Sequence, residues 1–268
     1  MKKQVIDALG NSVTLLKVPE RIVSLVPSQT EYLDFLGLKD AIVGITKFCI
    51  HPPQLLKSKI VVGGTKNLKI EKIKQLNPDL ILANKEENTK EDIENLMNLA
   101  PVYVSDIRDF EGAYKMINDI AFLCNKESKA SALIESIEES FQTQRFIGSD
   151  KKCIYFIWQN PYMLAGKNTF ISTMLTKAGF INSIQDSKEN YPVYSLEEIK
   201  NLEYDFIFLS SEPFPFKEKH RNELQDLLNT KNVFLVNGEM FSWYGSRMKL
   251  ASKYFQELNA QIQTVATL

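Results

Sequence analysis

A chain of 268 residues with 44% hydrophobic content is long enough for two α/β lobes and a sizeable core. Its 32 Lys and Arg stand against 33 Asp and Glu, leaving a formal net charge of −1. That balance gives no basic face for nucleic acid, and no polybasic or lipid-attachment signal marks it for a membrane.

Taken in chain order, Met1-Lys2-Lys3 looks like the start of a signal peptide, but no apolar region follows it. Residues 4–6 and 13–16 read as a hairpin turning at Gly10-Asn11. Two locations follow: a cytoplasmic protein, or one whose targeting segment is missing from the sequence shown. Residues 21–26 form a short apolar strand ending at Pro27. Ser28-Gln29-Thr30-Glu31 then has capping-box spacing with Ser28 as N-cap, and the helix it opens stops at Gly37. A strand at 41–45, a Pro-broken loop at 49–53 and a turn at Gly63-Gly64 come next. A helix at 93–99 and a strand at 102–104 follow. Alternating strands and helices at this spacing predict a parallel sheet.

Residues 126 to about 146 contain no Gly or Pro, and Ala130, Leu133, Ile134, Ile137 and Phe141 mark one helical face. Such a helix would span roughly 30 Å. It divides the chain into an N-terminal lobe (1–125), a linking helix (126–148) and a C-terminal lobe (149–268). The second lobe opens with a strand at 153–158. A helix at 169–178, a capping box at Ser195–Glu198, strands at 205–210 and 233–236 and a helix at 248–258 complete it. Three cysteines cannot all pair; Cys124 and Cys153 lie in apolar runs and read as core residues.

The two lobes share a repeat. Residues 70–82 align with 196–208 at a constant offset of 126 positions, with Glu71 and Glu197, Ile73 and Ile199, and Asp79 and Asp205 at matching places. Solenoid repeats have periods of 20–50 residues, so this one marks two related lobes. Two facing lobes make a cleft, a natural small-molecule site.

The blocks 21–31 and 77–81, followed by a helical spacer, resemble the class III substrate-binding proteins, or helical-backbone metal receptors. These deliver cobalamin, ferric siderophores or haem to ABC importers. Pro161-Tyr162 before Ala165-Gly166-Lys167-Asn168, and Tyr191-Pro192 before Ser195, are similar to the cobalamin-binding members. The resemblance implies an α/β fold of two Rossmann-like lobes joined by one long rigid helix, with the ligand in the cleft. It implies a monomer outside the cytoplasm with no intrinsic cofactor, whose cargo is a corrinoid or other metal chelate. Its partner is an ABC-importer permease, docked through one exposed glutamate per lobe, at Glu71 and Glu197. A two-fold partner needs one equivalent anion on each lobe, and carboxylate–guanidinium pairs fix orientation. A first-turn Glu favoured by the helix dipole is the plainer reading of both residues.

Loops at the carboxyl ends of strands are where open α/β sheets bind ligands. Four carry candidate contacts. Phe48 and His51 could stack on a corrin edge, and Cys49-x-His51 is a possible metal-ligand pair that lacks further ligands nearby. Trp158 and Tyr162 offer a flat apolar wall, Tyr191 an aromatic face where the cobalamin group carries tryptophan. Glu239, Trp243, Tyr244 and Arg247 form the densest set, with stacking surfaces and a fixed cation. Glu239 matches an acidic pocket residue of the cobalamin binders. Trp243 stands where they carry the pocket arginine, however, and Thr65 where they carry a tryptophan. The Pro-aromatic stretch 212–220 reads as a lid or, more simply, as a loop packed on its own lobe. No phosphate loop, nucleophile elbow or zinc helix is present, which favours a receptor over an enzyme. The alternatives are a cytoplasmic corrinoid or metal carrier, an enzyme-like relative not coupled to an importer, or a haem or ferric-siderophore receptor.

Overall fold

The computed structural model describes residues 2–142 and 151–266, which divide into two compact units. The first comprises residues 1–137 together with Trp243–Arg247. It opens with an antiparallel hairpin, β1 (Lys3–Ile6) and β2 (Ser12–Leu15), in which Val5 faces Val13. Gly10 at φ +83° and the Asp7 carboxylate, which accepts the Leu9 and Asn11 N–H groups, shape the loop between them.

After the hairpin come β3 (Ile22–Ser24), α1 (Pro27–Phe35), β4 (Ile42–Ile45), α2 (Pro53–Ser58) and β5 (Ile60–Val61). A small ribbon of β6 (Gly63–Gly64) and β7 (Asn67–Leu68) leads to α3 (Ile70–Gln75), β8 (Leu80–Asn84), α4 (Lys90–Met97), β9 (Val102–Ser105) and α5 (Phe110–Leu123). Five strands form one parallel sheet in the order β5-β4-β3-β8-β9. Every residue of β3 and β8 is buried, the mark of central parallel strands, so their sequences run apolar without alternation. The helix α6 (Glu127–Gln142) starts in this unit and ends in the next. Residues 143–148 of the predicted linking helix lie outside the described residues.

The second unit comprises residues 138–242 and 248–268. Its elements are β10 (Lys152–Trp158), β11 (Tyr162–Leu164), α7 (Phe170–Lys177), β12 (Ile181–Asn182), β13 (Val193–Tyr194), α8 (Leu196–Lys200), β14 (Phe206–Ser210), α9 (Glu218–Leu228), β15 (Val233–Val236), α10 (Glu239–Ser242) and α11 (Met248–Ala266). The sheet order is β13-β11-β10-β14-β15, with β12 beside the start of β10. The first unit's sheet is parallel throughout, as the spacing predicts, whereas this one is mixed. β11 runs antiparallel to β10, and β13 antiparallel to β11, because a short connection folds the chain straight back after Trp158. Phe241 anchors the core, its ring near those of Tyr155, Phe208, Tyr254 and Phe255 at centroid distances of 5.2, 6.4, 6.2 and 4.8 Å.

The repeat has a shared physical basis. In each copy a short helix (α3, α8) leads through an aspartate into a buried central strand (β8, β14). Asp79 accepts the N–H groups of Glu20 and Arg21 at 2.9 Å each, pinning the entry to β3. Asp205 accepts the Lys152 N–H at 2.8 Å and the Lys151 ammonium at 2.7 Å, pinning the entry to β10. Desolvation opposes the charge of Asp205, but those donors outweigh it and hold its carboxyl below the usual range.

Several local expectations shift. Ser195 and Glu198 do form the capping box at α8. Ser28 does not cap α1: the helix starts two residues earlier, with Val26 as N-cap and Pro27 in the first turn, where proline fits best. Gly63-Gly64 is not a turn but one arm of the β6–β7 ribbon, Gly63 pairing with Leu68 and Gly64 with Asn67. The helices α2, α5, α9 and α10 have no counterpart in the sequence reading, which has a loop where α10 lies. No helix among the described residues is long and apolar enough to cross a membrane.

Candidate functional site

In the first unit, the carboxyl end of the parallel sheet is lined by polar side chains. Ser24 ends β3, Thr46 follows β4, Asn84 ends β8 and Ser105 ends β9, and all four are buried. They are knitted together: Gln29 and Asn84 donate to the Ser105 hydroxyl at 2.7 and 3.0 Å, and Thr30 donates to Ser24 at 2.8 Å. Burying this many polar groups is tolerable only when they satisfy one another.

The loop after β4 rises from this row. Phe48 (48% exposed) and Ile50 (42%) stand in solvent, while Cys49 between them is fully buried. Its Sγ lies 3.0 Å from the Thr30 hydroxyl and 3.3 Å from that of Thr46, and burial pushes the thiol pKa up. His51 is half-buried and meets Trp243 edge-on at 5.5 Å. The structure thus sends Cys49 inward to two hydroxyls and His51 toward an indole. No group of three His, Cys, Asp or Glu fit to hold a metal occurs among the described residues.

Trp243, Tyr244 and Arg247, which belong to this unit, are all buried, at 6%, 5% and 6% exposure. The Arg247 guanidinium sits 4.8 Å from the Trp243 ring centre and donates to Glu31 twice, Nε to Oε2 at 2.8 Å and Nη2 to Oε1 at 2.5 Å. The cation expected to face a ligand is engaged with a carboxylate on α1. The Tyr244 hydroxyl lies beside Ser28 and Ser105, with burial driving its pKa well up. Gly245, at φ +89°, passes close to Tyr32, whose Cβ would lie 3.3 Å from an added side chain.

In the second unit Trp158 ends β10 with 39% exposure and meets Phe214 edge-on at 5.6 Å. Phe214 packs in turn on Phe216 and His220, so the 212–220 stretch lies on its own unit, as the packed reading expects. Tyr162 stacks edge-on against Phe156 and pairs with Tyr194 across β11 and β13. Tyr191 is half-buried beside Asn190, whose carbonyl accepts the Gly166 N–H at 2.8 Å. Glu239 opens α10, its own N–H donating to Asn237 at 3.1 Å. Glu71 and Glu197 stand exposed in the first turns of α3 and α8, and Glu197 forms a surface ion pair with Lys200 at 3.1 Å.

Residues 22–234 match the family described as periplasmic binding protein. The chain belongs to that family. Its architecture is the class III periplasmic-binding-protein fold. It is 32% identical over 191 residues to the uncharacterized ABC transporter substrate-binding lipoprotein YvrC of Bacillus subtilis, a stretch covering 67% of this chain and 60% of that one. The vitamin B12-binding protein of Vibrio cholerae is 27% identical over 195 residues, covering 71% of this chain and 70% of the other. Among solved structures, the periplasmic heme-binding protein BhuT in complex with two hemes aligns with a TM-score of 0.78 at 20% identity, over 92% of this chain and 100% of that one.

Two features of this periplasmic binding protein escape a sequence reading. Glu31, read as a capping residue, is the partner of Arg247, and 216 positions separate them. Lys47, Lys66 and Lys69 converge on one pocket because the β6–β7 ribbon folds back beside the loop after β4. No spacing rule joins residues brought together by a ribbon of two-residue strands.

Proposed function

We propose that this chain is the substrate-binding component of an ABC importer, which captures a corrinoid or other metal chelate outside the cytoplasm and hands it to a permease. The family match over residues 22–234 carries the reading, and the likeness to a vitamin B12-binding protein puts corrinoids first. Features of each unit support it. Phe48 and Ile50 after β4, and Trp158 at the end of β10, keep apolar side chains in water at the carboxyl ends of parallel strands. Covering such faces with a flat ligand is favourable at about 25 cal/mol per Å² of apolar surface. Capture and release at equilibrium is then the whole task, with no bond made or broken; the metal belongs to the cargo.

Equilibrium dialysis against cyanocobalamin, read by the ligand's visible absorbance, tests the proposal. Stoichiometric retention at micromolar protein is expected, weakened about tenfold by Phe48→Ala or Trp158→Ala, as for exposed aromatic anchors in other binding sites. If cyanocobalamin is not retained, corrinoids are removed, and haem and ferric siderophores are tried next.

A further inference from the structure

The β6–β7 ribbon and the loop after β4 enclose a recess of ≈ 540 Å³ within the first unit. Lys47, Lys66 and Lys69 line it together with Phe48, Gly64 and Thr65, and none of its lining residues is acidic. We propose that this recess recognises carboxylate groups, and that the cargo is an anionic, carboxylate-bearing chelate. The inference rests on the metal-chelate reading for its cargo, but the recess can be tested alone.

Three observations carry it. Three lysines line one recess, and cations gathered in this way repel one another, so an anion bound among them relieves that repulsion. On a surface whose positive and negative charges nearly balance, this concentration of one sign is local. The recess is also held open. An added Cβ at Gly64 would lie 3.3 Å from Lys47 Cε and 3.3 Å from the Phe48 ring, so a larger residue would fill the space between cation and aromatic wall. Finally, the walls are fixed by backbone bonds. Lys47 N–H donates to Gly63 at 2.8 Å, Lys69 N–H to Val62 at 2.7 Å, and Asn88 holds the Thr65 carbonyl at 3.0 Å.

The chemistry on display selects among anions. The Lys66 ammonium bonds the Glu86 carbonyl, and the Lys47 ammonium lies 4.9 Å from the Phe48 ring centre. Lysines act as point charges and do not by themselves tell a carboxylate from a phosphate, so the apolar wall makes the choice. The exposed Phe48 ring beside them suits a ligand with an apolar body and several separate carboxylates. Inorganic phosphate has no such body.

The first test uses citrate and inorganic phosphate with the full chain, following lysine side-chain NMR signals. Citrate should shift Lys47, Lys66 and Lys69 saturably and before Lys72 or Lys74 on α3, with phosphate weaker. Lys47→Gln/Lys66→Gln/Lys69→Gln should abolish the saturable response, and Gly64→Leu should do so by filling the recess. The triple variant changes only exposed side chains, so it remains informative if Gly64→Leu fails to fold. No citrate response, a uniform response of all surface lysines, or phosphate binding as well as citrate overturns the proposal.

The second test compares cobyrinic acid, a corrinoid with free carboxylates, with cyanocobalamin, whose corresponding groups are amides. Cobyrinic acid should bind at least tenfold tighter at low salt, and the triple variant should remove that preference while leaving cyanocobalamin unchanged. Equal affinities overturn the inference and leave the receptor reading intact. A citrate response with neither corrinoid retained overturns corrinoid binding and leaves the recess standing.

Discussion

Arg247→Ala is expected to destabilise the first unit by about 3–5 kcal/mol, the cost of stripping one partner from a buried ion pair. Two effects add. The Glu31 side chain, 19% exposed, would lose both guanidinium donors, and the Trp243 face would lose the cation it packs against. Glu31→Ala should be similarly costly, since it leaves the guanidinium (7% exposed) unpaired. The double change Glu31→Leu/Arg247→Met, which removes both charges and keeps the volume, should recover most of the loss. Urea unfolding followed by tryptophan fluorescence measures this directly. The chain has two tryptophans, Trp158 in the second unit and Trp243 in the first, so a Trp158→Phe background reports the first unit alone. A double variant as unstable as either single one would show that the pair's charges are not what is missed.

Reversing both repeat glutamates, Glu71→Lys with Glu197→Lys, is expected to abolish uptake of the cargo in cells while leaving its retention in dialysis unchanged. If a permease presents a cation to each unit, two like-charge contacts replace two attractive ones, and each such juxtaposition costs several kcal/mol. Releasing Glu197 from Lys200 for docking is cheap, because an exposed pair of this kind is worth about 0.2–1 kcal/mol. Single reversals should give intermediate uptake. Normal uptake by the double variant would return both residues to the plainer role of first-turn acids on α3 and α8. Circular dichroism should show little loss of either helix, since the dipole interaction at stake is about 0.3–1 kcal/mol per residue.

The repeat was legible because its signal is local. A short helix, an aspartate and an apolar strand follow within thirteen residues, and the pattern needs no knowledge of what the strand pairs with. The same locality explains the Ser195–Glu198 capping box. The expectation at Ser28 fails because the same motif lies beside a proline, which fits the first helical turn better and moves the start of the helix by two positions. Phe48 and Trp158 were picked from their place after strands and do stand exposed. The same rule points to Trp243, Tyr244 and Arg247, which are buried. Their environment comes from α1 and the loop after β4, some two hundred positions away, and no local pattern encodes that. The antiparallel β11 was missed for a related reason: apolar runs of two or three residues carry no direction.

Residues Trp243–Arg247 belong to the first unit, while Ser242 before them and Met248 after them belong to the second. Neither unit is therefore a continuous stretch of polypeptide. A fragment that ends anywhere before Trp243 deprives Glu31 of Arg247 and exposes the polar row at Ser28 and Ser105 that Tyr244 covers. A fragment that starts after the linking helix carries five residues whose partners it has left behind. The duplicated halves visible in the sequence have been sewn together by this stitch, and the gene can no longer be cut back into the two pieces it resembles.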